Sequence, residues 1–250
     1  MDDIQQFSAP DGESLAFRRL EGQGPTVVWI GGFRSDMEGT KALALDAAAR
    51  AGGWDYVRYD HFAHGRSSGD WRKATIGRWR EDAIRLTDSL DGPIVAVGSS
   101  MGGWVALLLA LARPDRVVGL VLINPAPDFT EDLMWPGLAD HERQAILREG
   151  ETRVTEEGLG SYVLTRRMFE EARDWLLLRG DLPVTAPVHL LQGRADDVVP
   201  WRRQITLIER LSRAEVRLDL IEKGDHRLSS PEDLARLVEA VERMRVQAFR

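Results

Sequence analysis

The sequence predicts an α/β fold in which helices cover both faces of a mostly parallel central sheet and a small helical cap lies over one edge. Strand and helix patterns alternate along most of the 250 residues, which is typical of parallel sheets. Residues 126–184 break this alternation, because they contain amphipathic helical patterns and no convincing strand. We therefore expect core segments at 1–125 and 185–250, separated by a helical cap insertion at 126–184.

The individual elements follow from hydrophobic periodicity. Alternation of apolar and polar residues predicts a half-buried strand, a continuous apolar run predicts a central parallel strand, and helical spacing predicts a helix. Glycine ends the first helix and Pro231 opens the last one. The predicted strands are 14–20, 26–30, 56–60, 94–98, 117–124, 187–193 and 215–224. The predicted helices are 39–52, 75–90, the Leu- and Ala-rich run after Gly103, and 231–246.

Charge and composition restrict the partners. The net charge of −7 disfavours nucleic acid and anionic membranes as main partners. The absence of cysteine excludes disulfides, a thiol nucleophile and thiolate metal sites. No apolar run reaches the roughly 18 residues needed to span a bilayer, and residues 1–10 lack a signal-peptide pattern. We expect a cytoplasmic protein without a membrane span, and the oligomeric state stays open.

The stretch 98–102, Gly-Ser-Ser-Met-Gly, fits G-x-S-x-G between a strand and a helix, the context that gives this motif its meaning. A serine hydroxyl needs an adjacent base to become a nucleophile. The turn is expected to lift Ser100 out of the sheet, while glycines at 98 and 102 allow a close backbone approach. Ser99 is expected to be structural. The alternative is a glycine-rich turn without chemistry.

A general acid or base partner is expected further along the chain, in the order Ser, acid, His that this motif uses. Asp196 and Asp197 follow the strand at 187–193, and Asp196 is the preferred acid. Asp197 as the acid, or both residues as solvated turn carboxylates, are the alternatives. An acid at this place would orient an imidazole and stabilise its charged form.

His226 is the preferred base among the five histidines, because it lies between the last strand and the last helix. Its neighbours could instead simply cap that helix. The other four are less suitable, since one lies in a strand, one in the cap and two flank a glycine-containing loop. They are His189, His141, His61 and His64, in that order.

Two backbone N–H groups are candidates for an oxyanion hole, the pair of donors that stabilises negative charge on the reacting oxygen. The amide of Met101 begins the helix after the proposed nucleophile. The amide of Phe33 follows Gly31-Gly32 at the end of an early strand. The alternative for the glycine pair is a tight strand exit without chemistry.

Five stretches resemble the α/β-hydrolases, and more narrowly the mitochondrial branch of palmitoyl-protein thioesterases that also hydrolyse acyl glucuronides. The resemblance covers most of the chain in the same order and is weakest in the cap. The stretches are GTKALAL (39–45), VGSSMGGW (97–104), ARPDRVV (112–118), LLQGRADDVVPW (190–201) and DHR (225–227). It implies an α/β-hydrolase fold with Ser100 as nucleophile, Asp196 as acid, His226 as base, and the Phe33 and Met101 amides as oxyanion donors.

One departure from the family pattern lies close to this expected site. The family loop D-x-x-G-x-G-x-S is here DHFAHGRS, so that Ala63 replaces the first glycine and His61 and His64 are added. The resemblance therefore does not predict the conformation of this loop. The mitochondrial address of the family is not carried over, because no transit-peptide pattern is present.

The resemblance implies two-step acyl transfer to water from an ester or thioester, on a small molecule or an acylated protein, without a cofactor. No phosphate-binding P-loop, dinucleotide fingerprint or metal-ligand spacing is present. Trp104, Trp135 and Met168, with Leu133 and Met134, could line an acyl groove, although such residues more often bury a cap against its core. A lactone or C–C bond hydrolase and a non-catalytic ligand receptor are the alternatives.

Overall fold

A central sheet of eight strands forms the core of the computed structural model, which describes residues 3–156 and 160–247. The strands of this sheet are β1 (Gln5–Ser8), β2 (Ser14–Leu20), β3 (Gln23–Ile30), β4 (Trp54–Tyr59), β5 (Ile94–Ser99), β6 (Val117–Ile123), β9 (Val188–Gly193) and β10 (Val216–Ile221). Their order is β1-β2-β4-β3-β5-β6-β9-β10. Every pairing from β4 to β10 is parallel, whereas β1 and β2 pair antiparallel at one edge.

Helices cover both faces of this sheet, as predicted. The α-helices of the described residues are α1 (Thr40–Gly52), α2 (Ile76–Asp88), α3 (Met101–Ala112), the single turn α4 (Trp135–Gly137), α5 (Asp140–Glu149), α6 (Arg166–Ala172), α7 (Arg202–Arg210) and α8 (Pro231–Gln247). Of these, α4, α5 and α6 lie between β6 and β9. One buried cluster joins a sheet face to α2, α3 and α7. A second cluster joins the opposite face to α1 and α8. The carboxyl ends of β5, β6, β9 and β10 consequently lie side by side at one edge.

The segment between β6 and β9 differs from the prediction, because it contains two strands as well as helices. β7 (Glu151–Glu156) and β8 (Gly160–Thr165) form an antiparallel pair apart from the main sheet. The expectation of a purely helical cap is therefore wrong. β7 carries one apolar side chain, Val154, and the apolar run of β8 is only three residues long, so the pattern of either segment alone is weak. The predicted boundaries of the cap, 126 and 184, stay a prediction.

Packing explains why the cap strands form. Val154 on β7 lies opposite Tyr162 on β8 in the strand register. Both side chains join a small buried cluster with Ile146 of α5 and with Met168 and Phe169 of α6. The apolar face thus arises from segments that are separate in sequence, and burial of this shared face stabilises the pair.

The turn between β5 and α3 depends on close contacts between backbones. A Cβ atom at Gly98 would lie 2.4 Å from the carbonyl oxygen of Gly102, and one at Gly102 would lie 2.0 Å from that of Ile30. Real Cβ atoms do not approach backbone oxygens so closely. Glycine at 98 and 102 therefore lets α3 begin directly above the ends of β3 and β5.

Replacing Gly102 by Ala should lower the free energy of unfolding by about 1–3 kcal/mol or more, because the added methyl group must displace the backbone of β3. Gly180→Ala is the matched control, since a Cβ there meets nothing within 4 Å, and it should change stability by less than about 0.5 kcal/mol. Urea unfolding measures both. Equal stabilities of the two variants would contradict this account of the turn.

Candidate active site

Ser100 occupies the tip of the turn in a strained backbone conformation, with φ of 53° and ψ of −118°. A residue in such a sparsely populated conformation costs about 1–3 kcal/mol. Hydrogen bonds hold it: the N–H of Ser100 donates to the carbonyl of Ile123 at 2.9 Å, and its own carbonyl accepts from Gly103 and Ala126 at 2.9 and 3.0 Å. The side chain therefore projects beyond the end of the sheet.

The structure brings together the three residues that the sequence predicted as nucleophile, base and acid. The Oγ of Ser100 lies 3.1 Å from Nε2 of His226, and Nδ1 of His226 lies 2.8 Å from Oδ2 of Asp196. If Nδ1 carries the proton that is donated to the carboxylate, Nε2 is free to accept the serine proton. This is the geometry of a serine activated by an oriented base.

Asp196, and not Asp197, contacts His226, which distinguishes the two candidates that the sequence left open. Asp196 is buried, and its Oδ1 accepts hydrogen bonds from the N–H groups of Val198 and Val199 at 2.9 and 2.8 Å. Both carboxylate oxygens are thus occupied, and the side chain cannot rotate without losing these bonds. Asp197 is exposed at the rim of the adjoining cavity.

The segment that carries Phe33 passes directly beside Ser100. A Cβ atom at Gly32 would lie 3.5 Å from the Cβ of Ser100. Phe33 and Met101 both line the same cavity as Ser100. The role of their two N–H groups as oxyanion donors stays a prediction.

His61 and His64 form hydrogen bonds to the backbone of the segment that carries Phe33. The sequence left the role of these two histidines open. Nε2 of His64 accepts from the N–H of Arg34 at 3.0 Å, and its Nδ1 donates to the carbonyl of Phe62 at 3.0 Å. Nε2 of His61 donates to the carbonyl of Gly31 at 3.1 Å. The two rings therefore hold the backbone on both sides of Phe33. The signal for this role was the unusual DHFAHGRS loop.

Burial keeps both rings neutral. It lowers the pKa of His61 to about 3 and that of His64 to about 4, because a charged imidazole loses its hydration inside the protein. A neutral His64 is also required by its hydrogen bonds, since Nε2 must accept from Arg34. Arg34 itself has a φ of 57°, so that this bond stabilises a strained residue next to Phe33.

Ala63, which stands where the family pattern has glycine, still takes the backbone conformation that the turn requires. Ala63 takes a φ of 58°, a conformation that favours glycine. The loop is held by Asp60, whose two carboxylate oxygens accept from the N–H groups of Met37 and Arg66, each at 2.7 Å. Asp60 thus joins this loop to the segment after β3.

A cavity of about 1000 Å³ adjoins Ser100 and His226. Much of its lining is apolar and comes from Phe33, Phe129, Leu133, Met134, Leu138, Val154, Tyr162 and Leu164. Charged groups also line it, including Asp36, Lys41, Asp225 and Arg227. Lys41 donates to the carbonyl of Arg227, and burial lowers its pKa to about 8. Apolar and charged side chains therefore both line the cavity beside Ser100.

Three residues proposed as pocket lining are packed elsewhere, so that prediction is wrong for Trp104, Trp135 and Met168. The Nε1 of Trp104 donates to the carbonyl of Trp175 at 3.0 Å within the core. The rings of Trp135 and Phe169 pack edge to face inside the cap, and Met168 is buried there too. Leu133 and Met134, also named from the sequence, do line the cavity.

Within residues 3–156 and 160–247, no group of three or more histidine, aspartate or glutamate side chains is arranged to hold a metal ion. Among the helices in these ranges, none combines the length and the apolar character that a membrane crossing requires.

Most of the chain, including the residues of this site, matches a family of known proteins. A model described as the Alpha/beta hydrolase family matches residues 27–240. The chain belongs to this family. The match includes all three residues of the Ser100–His226–Asp196 arrangement, and the fold predicted from the sequence is confirmed.

Two mammalian relatives are similar over nearly the whole chain. Both are named mitochondrial palmitoyl-protein thioesterase ABHD10. The Bos taurus protein is 35% identical over 244 residues, covering 96% of this chain and 79% of the relative. The Homo sapiens protein is 34% identical over 241 residues, covering 94% and 78%.

Two solved structures are also similar to this chain in both fold and sequence. A candidate hydrolase from Agrobacterium vitis S4 is 38% identical with a TM-score of 0.92, and the match covers 98% of this chain and 99% of that one. Mouse ABHD10 is 31% identical with a TM-score of 0.88, and the match covers 97% and 98%. The sequence-based resemblance to the ABHD10 branch is thereby confirmed.

Substitution of His64 by Phe should lower stability at pH 7 and reduce its dependence on pH. In the wild type, the folded pKa of about 4 lies below the unfolded value of about 6.5. The unfolded chain therefore binds the extra proton first, and stability falls as pH decreases from 6.5 to 4. The variant lacks this titration and loses the hydrogen bond that Arg34 N–H donates to the ring of His64, which should lower stability by roughly 1–3 kcal/mol at pH 7.

Urea unfolding of both proteins at several pH values measures this difference. The penalty of the substitution should shrink as pH approaches 4. Asp82, whose pKa burial raises to about 6, acts in the opposite direction in both proteins and cancels in the comparison. The exposed His141→Phe serves as control. Parallel stability curves for wild type and His64→Phe would refute the assignment.

Proposed function

We propose that this chain is a serine hydrolase that cleaves carboxylic ester or thioester bonds, with Ser100 as nucleophile, His226 as general base and Asp196 as the residue that orients it. That it is an ester-bond hydrolase follows from its family and its thioesterase relatives. The triad is supported by one observation above all. Ser100 Oγ, both ring nitrogens of His226 and Asp196 Oδ2 form a continuous hydrogen-bonded line, with separations of 3.1 and 2.8 Å.

The proposed reaction has two steps. His226 accepts the proton of Ser100 while Oγ attacks the acyl carbonyl, and Asp196 stabilises the resulting imidazolium. The amides of Phe33 and Met101 donate to the oxyanion, and His226 then protonates the leaving alcohol or thiol as the acyl–oxygen or acyl–sulfur bond breaks. A water molecule, deprotonated by His226, attacks the carbonyl of the acyl-enzyme. The bond between the acyl carbon and Oγ then breaks while His226 returns the proton to Oγ, which releases the acid and free Ser100.

The shape of the cavity favours a long or bulky apolar acyl group. Its apolar wall includes Leu138, Val154 and Leu164 of the cap, and its volume of about 1000 Å³ lies at the upper end of the range for small-molecule sites. An acyl chain beneath the cap would place the leaving group toward Lys41 and Arg227. The relatives named palmitoyl-protein thioesterase support an acylated protein or a small acyl compound as substrate. We include acyl glucuronides among the proposed ester substrates.

Two further expectations from the sequence concern the compartment and the partners of the chain. A cytoplasmic location stays a prediction, and the mammalian relatives are named as mitochondrial. Exclusion of nucleic acid as a partner likewise stays a prediction from the acidic net charge of −7.

Ser100→Ala should lower kcat by roughly 10⁴- to 10⁶-fold on any ester or thioester that the wild type hydrolyses, because the acyl-enzyme can no longer form. The measurement is hydrolysis of matched oxyesters and thioesters with acyl chains from short to palmitoyl. Ser99→Ala in the same turn is the control and should keep most of the activity. Undiminished turnover by folded Ser100→Ala would refute the triad. No turnover of any ester by the wild type would favour a lactone or C–C bond hydrolase, or a ligand receptor.

Val154→Phe should shift the substrate preference toward shorter acyl chains, since the larger ring fills the apolar end of the cavity. We expect kcat/KM for palmitoyl substrates to fall by roughly 10-fold or more, while short-chain substrates change by less than about 3-fold. Arg153→Phe, exposed on the same strand, is the matched control. A uniform loss across chain lengths would contradict the placement of the acyl group under the cap.

A further inference from the structure

Asn124, the residue directly after β6, forms hydrogen bonds to two of the loops that carry the proposed triad. It is completely buried. Its side-chain Oδ1 accepts from the N–H of Gly193 at 2.8 Å. Its Nδ2 donates to the carbonyls of Asp225 and His226 at 3.0 and 2.8 Å. One amide side chain thus joins the end of β9, three residues before Asp196, to the loop that carries His226.

The backbone beside Asn124 joins the third loop. The carbonyl of Ile123 accepts from the N–H of Ser100 at 2.9 Å, and the N–H of Asn124 donates to the carbonyl of Leu191 at 2.9 Å. Residues 123 and 124 therefore contact the segments of all three triad members. No part of the serine, acid and histidine motifs identifies this position.

The His226 loop needs such a link because its strand lies at the edge of the sheet. β10 pairs with β9 alone, whereas β5, β6 and β9 have neighbours on both sides. Within the loop, Asp225 Oδ1 accepts from the N–H groups of Arg227 and Leu228 at 3.0 and 2.9 Å. These bonds lie within the loop and do not reach the end of β9. The amide of Asn124 does reach it, and so does the bond from Ala195 N–H to the carbonyl of Gly224 at 2.9 Å.

The chemistry of the site explains why asparagine stands here. The φ of Asn124 is 43°, in the left-handed region that Asn and Asp tolerate better than most side chains. The site requires one acceptor for Gly193 and two donated protons for adjacent carbonyls, which is the set that an amide offers. Aspartate would fit the space but would place a carboxylate oxygen against two carbonyl oxygens.

We propose that Asn124 is a positioning residue, which sets the distance of His226 from Asp196 and Ser100. It does not touch the reacting atoms. The inference rests on the proposed function, since it concerns the residue that would act as its base. Displacement of a catalytic group by about 1 Å can cost roughly 100-fold in rate.

The test uses Asn124→Asp, which removes the donor at constant size, and Asn124→Gly, which removes the side chain and tolerates the positive φ. In each, kcat on the best ester or thioester should fall by roughly 10- to 100-fold, with KM changed by less than about 3-fold. The downfield proton resonance of the His226 Nδ1–H bonded to Asp196, observed by NMR in the folded protein, should shift or broaden. The pH profile of kcat/KM should shift with it.

Gln204→Glu is the matched control, because Gln204 is another buried amide whose Nε2 donates to Pro125 and Gln192 at 3.0 and 2.8 Å. It should lose stability without the NMR change. Wild-type kcat and an unchanged resonance in folded Asn124→Gly would overturn the proposal, as would equal effects in Gln204→Glu. A failure of the proposed function is distinguishable from a failure of this inference. If the proposed function is wrong, Ser100→Ala does not abolish turnover. The NMR resonance tests the role of Asn124 without any turnover.

Discussion

The arrangement of the candidate active site depends on the strained backbone of Ser100, which places the hydroxyl beyond the sheet and would be unfavourable in an isolated turn. Its φ of 53° is stabilised by the carbonyl of Ile123 and by the close approach of α3 to β3. That approach requires a hydrogen atom in place of a side chain at Gly102, where a Cβ would lie 2.0 Å from the carbonyl of Ile30. Core packing thus maintains a local strain of about 1–3 kcal/mol, and the hydroxyl remains accessible to a base.

Strand order then determines which residues meet this hydroxyl. β5, β6, β9 and β10 are neighbours in the sheet, so the residues that follow them converge at one edge. Ser100, Asp196 and His226 come from three of these ends and Asn124 from the fourth. Ser100 and His226 are partly exposed, whereas Asp196 and Asn124 are buried, and Asn124 joins the loops that carry Asp196 and His226. Precision at the site therefore depends on buried polar bonds as well as on the sheet.

The segment after β3 is held in a different way, by neutral aromatic rings from the loop after β4. His61 and His64 bond to backbone groups on either side of Phe33, and burial prevents their protonation near neutral pH. The Phe33 ring packs edge to face against Trp71 and Tyr162, with ring centroids 5.3 and 5.6 Å apart. Because Tyr162 belongs to the cap, the proposed oxyanion donor and the apolar wall of the cavity are parts of one packed cluster.

The sequence by itself determined the α/β class, seven of the core strands, and the choice of Ser100 and His226 as candidate catalytic residues, with Asp196 preferred over Asp197. These depend on local signals: apolar periodicity, glycines at a strand–helix turn, and polar residues just after strands. Only the tertiary structure decided the cap hairpin, because Val154 and Tyr162 form an apolar face after pairing and not before. The same reason applies to Trp104, whose apolar character predicts burial but not which surface buries it. It applies to Asn124 and His64 as well, since a buried hydrogen bond is defined by its partner, and those partners lie 30 or more residues away in the chain.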